Sequence, residues 1–447
     1  MSSDKPATDA VIIGGGFSGT MIAAELARRG ISSALVDGSG RAGRGTAYST
    51  PETAHLLNVV AGKMGAWADK PGDFAEAVAA EGYDPNQFVP RRRYGDYLSQ
   101  ILRKARDSGL VTLISGDAAA AERSATGWSV RMADGSQVQA KLLVLAQGNQ
   151  APASLPFARG VPNELFVNDP WSDAGREAIL KAAASGGDVL LIGTGLTMVD
   201  VVLSLDEARL RGRITALSRR GLAPRAHADH GVAPVSLEEV PQGSLKRLWR
   251  WLLDRGAAVG WRAAVDSLRP HSHAIWRALG GADHRRFLRH VRPWWDVHRH
   301  RIAPQVADRI RRLVQLGQLD IVAGRVMDMW AKDGKLDVAI KRRGKREAND
   351  QVFALAINCT GPLGSISASD DPLLKELFGA GLAKPDALDL GIEVDARSRI
   401  VGDDRAWAIG PLSKGAFWEI TAVPDIRGQV ANVADDIAKE LNDAVQP

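Results

Sequence analysis

Two stretches of the chain repeat one pattern. An apolar run of strand length meets clustered glycines and continues into an amphipathic helix. The first, Ala10–Arg29, reads as strand AVII, turn GGGFSG and helix TMIAAELARR. The second, Asp188–Ala208, reads as strand VLLI, turn GTGL and helix TMVDVVLSLDEA. Another strand follows each helix, SALVD ending at Asp37 and ITALSRR ending at Arg220. Between the units, WSVRMADGSQVQA (Trp128–Ala140) alternates about Asp134-Gly135 and predicts a hairpin. From about Val235 to Leu319 strand signals stop, and Trp, Leu and Arg recur at helical spacing. Strand patterns return at Asp320–Met327, Leu336–Ile340, Phe353–Asn358 and Ala406–Ile409. An amphipathic helix from about Thr421 to Leu441 ends the pattern.

The expected fold is α/β, with two Rossmann-like dinucleotide-binding domains and a helical insertion in or near the second. Residues 1–158 with 355–447 are assigned to the first domain. Residues 159–354 form the second, with the insertion at about 235–319.

The 447 residues carry a formal charge of +5, too little to mark a nucleic-acid binder. One cysteine, Cys359, leaves no internal disulfide and no CxxC redox pair. The polar start, Met1 to Asp9, is unlike a signal peptide, and no run of about 18 apolar residues predicts a membrane span. The expectation is a cytoplasmic protein. Glycine is abundant, at 46 residues, and its positions carry the chemistry.

Gly14-Gly15-Gly16-Phe17-Ser18-Gly19 fits GxGxxG after a strand and before a helix. Gly14 permits the tight turn, Gly16 admits a pyrophosphate, and Gly19 lets helix and strand pack closely. The free N–H groups at the helix start would hold the phosphates, with Phe17 and Ser18 among them. Asp37, about 20 residues on, is placed to bind ribose hydroxyls. The second turn, Gly193-Thr194-Gly195-Leu196-Thr197-Met198, keeps two glycines and has methionine at the third. Its second strand ends Ser218-Arg219-Arg220 where an acid would favour NAD. An acid repels a 2′-phosphate, whereas serine and arginine bind it, so NADPH is expected over NADH. The competing reading of Arg219 and Arg220 is a pair of solvated strand-end charges.

Other segments resemble two-nucleotide flavoproteins. GSGRAGRGTAYST, with Gly43, Gly45 and Thr46, looks like the stretch that follows the ribose acid. VLAQGN, with Gly148, looks like the ATG-type crossing between FAD and NAD(P) domains. Together with HLLNVVAGKMGAWAD, FVPRRRYGDYL, WWDVHRHRIAP, INCTGP and GPLSKGAFWEITAVPDIR, they make the chain similar to a bacterial family of FAD/NAD(P)-binding proteins. That family is related to flavin-dependent monooxygenases and hydroxylases. The resemblance implies FAD, NADPH and oxidoreductase chemistry. Its first implied outcome is a monooxygenase that hydroxylates a small soluble substrate with O2 through a flavin C4a-hydroperoxide, in the manner of urate hydroxylases or N-hydroxylases. The alternative is an NAD(P)H:acceptor oxidoreductase serving a quinone or a partner protein. One departure stands out: the linker Phe157–Trp171 has no histidine of the kind found in flavin-containing and Baeyer–Villiger monooxygenases.

Candidate groups for the flavin face come from two segments. Asn58 could hydrogen-bond flavin or peroxide, Lys63 could stabilise negative oxygen, and Met64 and Trp67 could wall the ring. The alternative for each is a structural loop residue. Gly410, Lys414, Phe417, Trp418 and Thr421 lie in a glycine loop before the last helix, with Gly410 and Thr421 assigned to the cofactor and Trp418 to the reacting face. No metal site is expected, because His290, His298 and His300 lack metal-ligand spacing and sit among arginines. The tryptophans of the insertion read as helix-packing core or as an aromatic substrate pocket.

Overall fold

The structure is a computed structural model that describes residues 8–443. Two seven-stranded sheets organise it. The first holds β1 (Thr8–Ile13), β2 (Ser33–Asp37), β3 (Val111–Ser115), β4 (Ala118–Arg123), β5 (Trp128–Met132) and β6 (Gln137–Leu145) in the order β3-β2-β1-β6-β5-β4. The second holds β7 (Phe166–Val167), β8 (Val189–Ile192), β9 (Ile214–Ser218), β10 (Leu319–Lys332), β11 (Lys335–Arg342), β12 (Asn349–Phe353) and β13 (Leu355–Asn358). Its order is β12-β11-β10-β9-β8-β13-β7. The chain then returns to the first sheet, where β14 (Ala406–Ala408) lies parallel to β6.

Both sheets share a parallel core of one logic. In the first, β1 lies between β2 and β6; in the second, β8 lies between β9 and β13. β8 is apolar and buried throughout, and β1 is so from Ala10 to Ile13, as strands covered on both faces must be. Helix Phe17–Arg28 follows β1 and helix Leu196–Glu207 follows β8. The crevice for a ligand lies where the connections diverge, beyond the carboxyl ends of β1 and β6 or of β8 and β13. The hairpin at Asp134-Gly135 forms as expected, pairing β5 with β6.

Two boundaries differ from the sequence reading. β13 pairs with β7 and β8, so the crossing back to the first sheet comes after Asn358 rather than at 355. The apolar run Phe353–Asn358 is also two strands, because the chain turns between β12, at one edge of the second sheet, and β13, which lies between β8 and β7. The helical insertion connects β9 to β10, and its regular helices begin at Leu245. Its last helix, Pro304–Gln315, packs into the core of the second sheet as the crossover between two parallel strands. The final helix runs from Val423 to Asp443. Among the described residues no helix is long and apolar enough to cross a membrane.

Candidate functional site

The two glycine turns are built alike. Gly14 has φ +103°, and a Cβ there would lie 2.6 Å from the Ala146 carbonyl oxygen. Gly193 has φ +119°, and a Cβ there would strike the Cys359 carbonyl. Each turn is therefore pressed against the end of the strand beside it, β6 or β13. Gly148 and Gly361 then take matching left-handed conformations, φ +72° and +89°. INCTGP thus stands in the second unit where VLAQGN stands in the first, a correspondence that the unlike residues between their glycines hide. Gly19 must also lack a Cβ, which would collide with the Gly14 carbonyl.

Helix Phe17–Arg28 begins after Gly16 and helix Leu196–Glu207 after Gly195, neither with a side-chain cap or an acidic residue in its first turn. By contrast, Ser172 caps helix Asp173–Ser185 by accepting from the Gly175 N–H. Unused N–H donors and a bare positive dipole end at both glycine turns fit an anion such as a pyrophosphate. Thr197 and Leu196 are half-buried in the second such turn.

The ends of the second strands differ. Asp37 is buried; its Oδ2 accepts from the Gly15 N–H at 2.8 Å, and its Oδ1 accepts from the Ser39 hydroxyl at 2.6 Å. Ser218 holds the same place in the second unit, bonded to the Thr194 hydroxyl at 2.8 Å and accepting from the Gly221 N–H at 3.0 Å. Thr194 is therefore committed to the turn. Arg219 is exposed, Arg220 half-buried, and neither has an ion-pair partner among the described residues.

Gly43 donates its N–H to the Gly15 carbonyl at 2.8 Å, and Gly45 backs onto Gly16 so closely that a Cβ would lie 2.9 Å from the Gly16 Cα. The GRAGRGT stretch thus packs on the first turn. Thr46 is exposed and lines a small pocket with Glu52, His55, Trp171 and Arg176. Gly410, with φ +63°, abuts the Ser18 hydroxyl, and its N–H donates to Gln429 Oε1 at 2.7 Å. One glycine loop thus meets another at the start of helix Phe17–Arg28.

The segment His55–Asp69 lies at the junction of the two units. His55 is buried and bonds the Asp200 carbonyl at 3.0 Å and the Thr50 hydroxyl at 2.9 Å. Arg91 pairs with the Asp200 carboxylate at 2.8 Å. His227, beyond β9, bonds the Asn58 carbonyl at 2.9 Å. Burial and the positive Arg301 push its imidazole down to about 4, so it is neutral near pH 7. Asn58 is half-buried at this junction, and Lys63 is exposed with its charge felt by His227. Met64 lies in the hydrophobic core of the first unit, which accounts for its apolar character without a ligand. Half-buried Trp67 packs on that core, with the Arg28 guanidinium 4.5 Å from its ring.

Trp418 is buried away from these groups, stacked on Trp276 of the insertion with centroids 4.7 Å apart. Thr421 is exposed, two residues ahead of the helix it was expected to start. Between them is a residue that the sequence reading missed. Glu419 is buried with φ +69°, strained for a side chain with a Cβ. Arg299 pairs with it at 2.8 Å, and the Trp295 indole donates to it. These cationic and hydrogen-bonding partners hold its carboxyl below the usual range, against burial. Lys414 beside it is pushed down to about 8 by burial and Arg292. Asp200, His55 and His227 have no role in the sequence analysis, although Asp200 and His55 stand in segments quoted there.

Residues 11–150 match the protein family described as FAD-NAD(P)-binding. No curated protein sequence matches the chain. Solved structures match over nearly its whole length. L-lysine 6-monooxygenase from Pseudomonas syringae is 16% identical, with TM-score 0.67, covering 98% of this chain and 100% of its own. Ornithine N-hydroxylase of Kutzneria sp. 744, with reduced FAD, NADP+ and L-ornithine, is 15% identical, with TM-score 0.63 and coverage of 98% and 100%. Thioredoxin reductase from T. acidophilum is 12% identical, with TM-score 0.54 and coverage of 97% and 99%. At such identities the likeness is one of fold. The chain has the fold of a two-dinucleotide-binding flavoprotein oxidoreductase, and its residues 11–150 match the FAD-NAD(P)-binding family.

Proposed function

We propose that the protein is an FAD- and NADPH-dependent monooxygenase that hydroxylates a small molecule with O2. The observation that carries the choice of cofactors is the exchange of Asp37 for Ser218 at equivalent ends of two similar turns, with Arg219 and Arg220 directly after Ser218. The first turn suits a ribose without a 2′-phosphate, and the second suits one that carries it.

Bound FAD would supply hydride acceptance from NADPH and electron transfer to O2. The protein's own groups bind and orient. The uncapped N–H groups after Gly16 and Gly195 hold the two pyrophosphates. Asp37 accepts from ribose hydroxyls, and Ser218, Arg219 and Arg220 donate to the 2′-phosphate. Gly45 and Gly410 keep side chains away from the first turn. Asn58 and Lys63 remain the candidates for hydrogen bonding and charge at the reacting face. His227, neutral and bonded to the Asn58 backbone, fixes that loop against the second unit. The lone Cys359 is buried, and burial pushes its thiol up, so no thiol relay is assigned to it.

The test follows NADPH oxidation, O2 uptake and peroxide release together. Substrate-stimulated uptake without matching peroxide supports hydroxylation. Slow oxidation that an added quinone accelerates without oxygen would instead support an acceptor oxidoreductase.

A further inference from the structure

Five non-glycine residues among those described have a left-handed backbone: Arg209, Asp333, Asp389, Ser398 and Glu419. That conformation is strained for a residue with a Cβ and persists where the surroundings impose it. Of the five, only Ser398 and Glu419 are buried, at 2% and 4% exposed. Both hold one segment, Gly410–Glu419.

At the start of that segment, Gln429 of the last helix reaches back into the loop. Its Oε1 accepts from the Gly410 N–H, and its Nε2 donates to the Ser398 and Ser413 hydroxyls at 2.9 Å each. The Ser413 hydroxyl donates in turn to the Gly410 carbonyl at 2.9 Å. At the other end, the Glu419 carboxylate accepts from the Arg299 guanidinium at 2.8 Å and from the Trp295 indole, both in the insertion. Glycine would ease the backbone at this position but would leave the largely buried Arg299 without its counter-charge. The strain is thus tolerated where a side chain joins two distant parts of the chain.

The segment so held meets both stretches of the chain assigned to the flavin. Gly410 abuts Ser18 at the first glycine turn. Arg427, just inside the last helix, donates to the Gly65 carbonyl at 2.8 Å within the stretch that carries Asn58 and Lys63. A change at Glu419 therefore has a short path to the first turn.

We propose that Glu419 is a positioning residue for bound FAD. Through Arg299 and Trp295 it fixes the Gly410–Glu419 segment to the insertion, so the insertion sets how the first glycine turn fits the cofactor. This rests on the reading of that turn as the FAD site. The carboxylate is committed to the insertion and is not a catalytic group.

Titration of the flavin-free full chain with FAD, read by flavin fluorescence, tests the proposal together with anaerobic reduction by NADPH. Glu419→Gly eases the backbone while removing the carboxylate, so a loss cannot come from strain. It should weaken FAD about tenfold and slow the limiting rate of flavin bleaching about as much, with the apparent NADPH Kd changed by less than about twofold. Arg299→Met breaks the same pair from the insertion side, and its losses should match, whether or not Glu419→Gly folds. The double variant should lose about tenfold rather than a hundredfold, because one contact is removed once. A lower urea midpoint with FAD affinity and bleaching rate unchanged would overturn the proposal, since the pair would then be a plain strut. Losses that multiply in the double variant would overturn it too. If the unmodified protein binds FAD but NADPH leaves it oxidised, the monooxygenase reading fails, and the FAD titration still decides the role of Glu419. If the unmodified protein binds no FAD, both fall.

Discussion

Asp37 and Ser218 stand at the same point of two copies of one turn, and that difference sets the expected cofactor preference. Arg219→Ala with Arg220→Ala should raise the KM for NADPH by about tenfold or more and leave the KM for NADH nearly unchanged. Steady-state kinetics with both nucleotides checks this; equal effects on the two would contradict a 2′-phosphate site. Gly19→Ala places a methyl group against the Gly14 carbonyl. It should cost about 1–3 kcal/mol and loosen FAD, read by urea denaturation and by flavin retained through gel filtration. His227 gives a pH signature. Its imidazole is held to about 4 in the folded protein, against 6.5 when unfolded. The unfolded chain therefore binds the extra proton first. This contribution to stability is full above pH 6.5 and is lost as pH falls towards about 4. The urea midpoint of His227→Asn should fall less steeply across that window than that of the unmodified protein.

Arg91 and Asp200 link helix Arg91–Asp107 of the first unit to helix Leu196–Glu207 of the second. Both side chains are largely buried. Asp200→Ala leaves a buried guanidinium unpaired and should cost about 3 kcal/mol. Arg91→Met with Asp200→Leu should cost less than the two single changes together, as a double-mutant cycle by urea denaturation would show. Elements set by local pattern were legible in the sequence. The glycine turns, their strands and helices, and the Asp134-Gly135 hairpin all announce themselves within a few residues. Contacts between distant elements were not. Nothing near Asp200 shows that Arg91 meets it, since they lie 109 residues apart. Glu419 was hidden twice: its partner Arg299 is 120 residues away, and its left-handed backbone occurs at a residue that does not advertise it. Trp418 was legible as an aromatic residue of the last glycine loop, but not as a wall of the insertion, because helical spacing does not reveal which faces meet.

At the scale of the whole molecule, two matched sheets carry one turn each, and the insertion between β9 and β10 packs Trp276 against Trp418 of the last loop. That arrangement joins a nucleotide fold to the aromatic core of the insertion, Trp276 and Phe287, through a single segment, Gly410–Thr421. The central claim is that the two turns bind two different cofactors which exchange electrons. Anaerobic mixing of the FAD-reconstituted protein with NADPH, followed by flavin absorbance, tests it most directly. The expected result is tightly held FAD that NADPH bleaches, with NADH much slower. Failure to retain FAD after reconstitution, or retained FAD that NADPH leaves oxidised, would contradict it.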